Sequence, residues 1–153
     1  MRTQRGFTLI ELIVVMSIIG ILLGLTSINL ARSQQTASLT SAGEMLIADL
    51  RQQQLKSMIG DTEGRPASDS YGIHFDPNKY VLFHGTTYSS SDTSNFVINL
   101  DSNMQFNNSN VDIIFSKLSG EIVTDTTIDL QDNTNSNLKR IHLNAFGTVT
   151  QVE

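Results

Sequence analysis

The sequence predicts an α+β chain: a long N-terminal helix, its first half apolar enough for lipid, packed on a small antiparallel β-sandwich or two-sheet domain. Three observations carry this. No proline occurs before Pro66, and apolar residues recur at helical spacing as far as Ile59. Beyond residue 70, short strand-like runs return at intervals of about 8–12 residues with turn signals between them. No alternation of strand and helix follows, so a parallel sheet is not expected.

Composition bounds the function. The chain has 153 residues, enough for one domain plus an anchor. Its formal charge is −5. Beyond the first 28 residues there are eight Lys/Arg against fourteen Asp/Glu, about −6, which argues against a generic phosphate-binding surface. There is no cysteine, so disulfides, thiolate metal sites and cysteine nucleophiles are excluded.

The first element is the run 7–28. Its 22 residues would span roughly 33 Å as a helix, close to a hydrocarbon layer of about 30 Å. Fourteen of them are Leu, Ile, Val or Phe. These contribute roughly −4 to −8 kcal/mol to insertion, against about +3 for one central carboxylate. Insertion therefore wins despite Glu11. Arg2 and Arg5 precede the run and only Arg32 follows closely, so the short N-terminus is expected in the cytoplasm and the C-terminal domain outside. A secretory signal peptide fits less well: the run is too long, and no small-x-small cleavage site follows it. A plain signal anchor explains everything except Glu11 and the glycine before Phe7.

The stretch Gly6-Phe7-Thr8-Leu9-Ile10-Glu11-Leu12, behind a basic leader and before an apolar helix, resembles the processing signature of type IV prepilins and pseudopilins. The resemblance implies cleavage between Gly6 and Phe7 by a membrane peptidase, N-methylation of Phe7, and a mature chain of 147 residues. It also implies that Glu11 of one subunit meets the Phe7 amine of a neighbour in a filament. The physics agrees: a carboxylate in lipid seeks a partner, and Glu11 lies four residues from the new ammonium on nearly the same helix face. Such a pair sets register, because any other axial offset leaves both charges unpaired. The alternative is that Glu11 reaches the headgroup layer. Gly20 and Gly24 have GxxxG spacing, which can mark close helix packing. Two glycines also cost about 1 kcal/mol each against alanine, so local loosening is the second reading.

Residues 29–60 continue the helix as a polar segment with a narrow stripe: Leu39, Ala42, Leu46 and Leu50, extended by Leu55, Met58 and Ile59. The stripe is expected to dock on a sheet; a coiled coil is the alternative, without the charged heptad flanks it would need. A break is conceivable within 28–36, where Ser, Asn and Thr are dense. Gly60-Asp61 reads as the stop. Met45–Arg51 resembles the corresponding stretch of H-type pseudopilins and FimT-like minor pilins.

Residues 61–153 form the β domain. Strands are expected at Tyr71–Phe75 and Tyr80–His84, joined by Asp76-Pro77-Asn78-Lys79. Pro77 excludes a type I′ turn, so a type I turn followed by a bulge is expected. Thr86–Asn95 reads as an exposed loop. Further strands are expected at Phe96–Leu100, Met104–Phe106, Val111–Ser116, Ile122–Leu130, Leu138–Leu143 and Thr148–Val152. The closing order of strands and Gly turns again resembles the H-type pseudopilin domain.

No chemistry-bearing motif emerges. His74, His84 and His142 lack metal-ligand spacing, and Asp125, Asp129 and Asp132 lack that of a calcium loop. There is no nucleophile elbow or phosphate loop. No enzyme activity, metal or cofactor is expected. Lys139 and Arg140, with His142, form the only basic cluster; they are the candidate DNA contact, against the reading of an edge strand protected by charge. The expected function is a minor pilin or pseudopilin in a type IV pilus-like or type II secretion filament. Its partners would be other subunits, the prepilin peptidase, an inner-membrane assembly platform and lipid. The alternative is a filament-tip subunit that binds DNA or a surface.

Overall fold

The computed structural model describes residues 6–153, with side chains described for 6–24 and 36–153. Helix α1 spans Leu9–Ile59, and eight strands follow. They are β1 (Tyr71–Asp76), β2 (Lys79–His84), β3 (Phe96–Asn99), β4 (Met104–Phe106), β5 (Val111–Phe115), β6 (Thr126–Asp132), β7 (Asn137–Leu143) and β8 (Val149–Val152). The chain divides into two compact units, Met1–Ala37 and Ser38–Glu153.

In the first unit the described large apolar side chains are uncovered, from Phe7, just ahead of the helix, at 86% exposure to Leu23 at 62%. Of the predicted anchor 7–28, the side chains of 25–28 lie outside the described residues, as do Arg2, Arg5 and Arg32. Among the described residues no helix is long and apolar enough to cross a membrane. The described apolar part of α1, 9–24, is sixteen residues, short of the roughly 20 a span requires.

The second unit holds two antiparallel four-stranded sheets, ordered β3-β2-β1-β5 and β4-β6-β7-β8. The α+β class stands. Alternation places Ile73 and Phe75 of β1, Tyr80 of β2, and Ile113 and Phe115 of β5 on one buried face. Ile128, Leu130, Ile141, Leu143, Met104 and Phe106 do the same in the second sheet. Phe75 meets Phe106 edge to face at 5.0 Å, which joins the sheets. Leu39, Leu46 and Leu50 of α1 belong to the same core.

The stripe departs from expectation at its end. Leu55, Met58 and Ile59 are exposed, and Gln53 and Ser57 are buried in their place. Positions 46, 50, 53 and 57 keep one helical face, from which 55, 58 and 59 have rotated away. Ser57 is held there by backbone demand. Its Oγ donates to the Phe115 carbonyl (2.9 Å) and accepts from the Tyr71 N–H (2.9 Å), while its own carbonyl accepts from the Leu118 N–H (2.8 Å).

The β1–β2 hairpin also differs. Neither Pro77 nor Asn78 has a positive φ, as a type I turn requires, but the register runs unbroken from Asp76↔Lys79 to Tyr71↔His84 and no bulge follows. The turn carbonyls are anchored from outside: Pro77 accepts from the Phe106 N–H (2.8 Å) and Asn78 from the Leu100 N–H (2.9 Å). That holds a tight turn whose twist alone would splay the strands. The strand expected at Ile122 begins only at Thr126. Ile122 and Asp125 instead bind Ala145, through its carbonyl (2.9 Å) and its N–H (2.7 Å), so 122–125 serves the neighbouring loop. The 86–95 segment is not simply exposed: Tyr88 stacks on His74 at 3.9 Å and lies 5.5 Å from the Phe83 ring.

Candidate functional site

The geometry of the candidate processing segment follows from how α1 starts. Gly6, Phe7 and Thr8 are non-helical and exposed, and the helix begins at Leu9. Thr8 is the N-cap. Its Oγ1 accepts from the Glu11 N–H at 3.3 Å, and its carbonyl accepts from the Leu12 N–H at 3.2 Å. Thr-x-x-Glu is the spacing of a capping box, and Glu11 stands at its third helical position. A carboxylate in the first turn also meets the positive end of the helix. The Gly6–Phe7 peptide bond therefore sits in non-helical chain just ahead of a defined helix start. An enzyme can reach that backbone without unwinding a turn. A Cβ added at Gly6 would meet nothing within 4 Å. Thr8 thus fixes the helix start, and its signal in the sequence is the Thr-x-x-Glu spacing within Gly6–Leu12.

The rest of the described apolar segment is self-sufficient in hydrogen bonding. Ser17 Oγ, its one hydroxyl beyond the cap, donates to the Ile13 carbonyl at 2.8 Å. An added Cβ at Gly20 or Gly24 would meet nothing within 4 Å, so the space beside both is open to a neighbouring helix.

The other candidates are scattered. His74 and His84 stand on opposite faces of the first sheet, because His74 pairs with Val81 and His84 with Tyr71. Each is flanked by carboxylates: His74 by Asp112 (2.6 Å) and Asp76 (3.4 Å), His84 by Asp92 (3.4 Å) and Asp69 (3.8 Å). Asp125 binds the Ala145 N–H, Asp129 pairs with Arg140, and Asp132 is buried, capping the Thr134 N–H at 2.8 Å. Among the described residues no group of three His, Cys, Asp or Glu side chains could hold a metal.

Lys139 and Arg140 do not form a patch. Arg140 is bidentate to Asp129 at 2.8 and 3.0 Å. That bond holds the Asp129 carboxyl below the usual carboxylate range and raises the Arg140 guanidinium. Lys139 alternates to the other face, where its stem fills the space that a Cβ on Gly43 would need, 2.5 Å from its Cδ. One charge is neutralised, and the stem that carries the other is committed to packing against α1.

Neither the curated proteins nor the solved structures contain a significant match to this chain. The match that exists falls on the segment just described. Residues 1–27 fit the family model of the prokaryotic N-terminal methylation motif, the prepilin signal of type IV pilin-like chains.

Proposed function

We propose that the chain is a minor pilin or pseudopilin, a structural subunit of a type IV pilus-like or type II secretion filament. A prepilin peptidase cuts after Gly6 and methylates the Phe7 amine. The apolar helix anchors the subunit in the inner membrane, with the C-terminal unit outside, until an assembly platform extracts it into the filament. Glu11 then neutralises the amine of an adjoining subunit. The methylation motif over residues 1–27 carries this reading. The exposed, non-helical Gly6-Phe7 segment and the uncovered apolar helix support it, since so much bare apolar surface requires lipid or other subunits. A helix followed by two antiparallel sheets supports kinship with H-type pseudopilins and FimT-like minor pilins. The arrangement of Lys139 and Arg140 lends no support to DNA contact.

The test is N-terminal sequencing of the protein from cells with and without the peptidase. The expected result is a methylated phenylalanine at position one when the peptidase is active. An intact Met1 in those cells would overturn the proposal.

A further inference from the structure

We propose that an apolar surface at the C-terminal end of α1, centred on Leu118, is a two-fold interface with a second copy of this chain. The surface lies wholly within the second unit. Leu55, Met58 and Ile59 fall at i, i+3 and i+4 on one helix face, and all three are exposed. The loop after β5 continues the surface. The Leu118 N–H donates to the Ser57 carbonyl (2.8 Å), and its Cδ2 would lie 3.3 Å from a Cβ on Gly60. Gly120 of the same loop lies against Met58, whose Cγ would be 2.5 Å from an added Cβ. Gln54 then carries the surface to the exposed Phe146, since its Nε2 donates to the carbonyls of Gly120 (3.1 Å) and Phe146 (2.7 Å).

The backbone sets Leu118 apart. Its φ is 68°, in the left-handed region that crowds the Cβ of a leucine and suits glycine or asparagine. The loop is pinned in that shape: the Gly120 N–H donates to the Ser116 carbonyl and the Ser116 N–H to the Glu121 carbonyl, each at 2.8 Å. Yet the leucine remains 66% exposed, so its own fold gains little from it. A strained, rigidly held and bare apolar side chain calls for a contact outside the chain.

Size and charge select the occupant. Five large apolar side chains exposed together form a patch on the order of 500 Å², the scale of an interaction site. A standard interface covers about 800 Å² per partner, so a polar rim must complete it. Lys117 and Glu121 supply that rim from the two arms of the loop, on either side of Leu118. Both are exposed, and neither side chain has an ionic partner among the described residues. One free charge of each sign on opposite shoulders makes a surface complementary to itself. In a two-fold contact about Leu118, Lys117 of each copy faces Glu121 of the other. A lipid or nucleic-acid surface would instead be met by basic charge alone.

The chain has no cysteine, so an introduced thiol reports alone. Full-length Leu118→Cys and Thr134→Cys, the latter on the exposed β6–β7 turn, are oxidised in detergent micelles and run on non-reducing gels. A disulfide needs Cα atoms within about 7 Å, which a residue beside a two-fold axis satisfies. Leu118→Cys should give at least fivefold more dimer than Thr134→Cys, which measures the background from sharing a micelle. Adding Lys117→Glu should lower that yield at least fivefold, and adding Glu121→Lys as well should restore it. All these changes fall on exposed side chains, so the thermal transition should persist. A yield from Leu118→Cys no higher than from Thr134→Cys, or one indifferent to the charge reversals, would overturn the proposal. Neither result bears on processing at Gly6.

Discussion

The two halves of α1 invert the usual relation between apolarity and burial. Twelve of the sixteen residues 9–24 are Leu, Ile, Val or Met, and every described side chain among them is exposed. Between 38 and 59 apolar residues are sparser, yet the helix buries Leu39, Leu46 and Leu50, together with the polar Gln53 and Ser57. Burial is decided by what lies opposite, not by hydropathy alone. The second half faces two sheets of its own chain. The first half has no such cover within its unit, so its apolar surface calls for another molecule.

The comparison can be broken most sharply at Glu11. Glu11→Gln keeps shape and removes charge. On the proposed pairing of Glu11 with a neighbour's amine, stripping one partner from a buried ion pair costs about 3–5 kcal/mol, enough to abolish incorporation into filaments. Immunoblots of sheared filaments should lose the variant, while the thermal transition of the second unit stays unchanged. Normal incorporation would sink the register role.

A substitution in the second half should do the reverse. Leu50 is 1% exposed. Leu50→Ala should lower stability by about 2–5 kcal/mol, read by denaturant unfolding, and leave cleavage after Gly6 intact. Reduced cleavage with undiminished stability would show that the halves are not independent in this way.

Ser57→Ala sharpens the point that a polar group can belong to the core. It removes the donor to the Phe115 carbonyl and the acceptor of the Tyr71 N–H at once. A loss of about 2–3 kcal/mol is expected. A loss below about 0.5 kcal/mol would mean that the two backbone groups find other partners.

The smallest effect lies at the surface pair Asp129–Arg140. The folded carboxyl titrates below its unfolded value, so the pair stabilises fully above the ordinary aspartate pKa of about 3.9 and loses its contribution as pH falls through the lowered folded value. Melting curves of the native chain and Asp129→Asn should differ modestly at pH 6 and converge toward pH 2. A gap that stays constant over that window would assign the effect to packing instead.

Much of this molecule was written locally. Thr-x-x-Glu behind Gly-Phe marks both a helix start and a processing signal, because capping and peptide recognition each act within a few residues. Period two exposed the sheet faces, and Pro77 fixed the class of the first turn through its own φ. Tertiary structure alone decided the rest. It turned Leu55, Met58 and Ile59 outward and Gln53 and Ser57 inward, and delayed β6 to Thr126, whereas the opposite facing of Lys139 and Arg140 was already fixed by period two along the strand. For Ser57 and for the 122–125 segment the reason is the same. Buried backbone groups such as the Phe115 carbonyl and the Tyr71 N–H must be satisfied by whatever chain segment folds against them. That partner stands 58 residues away in one case and 14 in the other. No local periodicity registers such a demand.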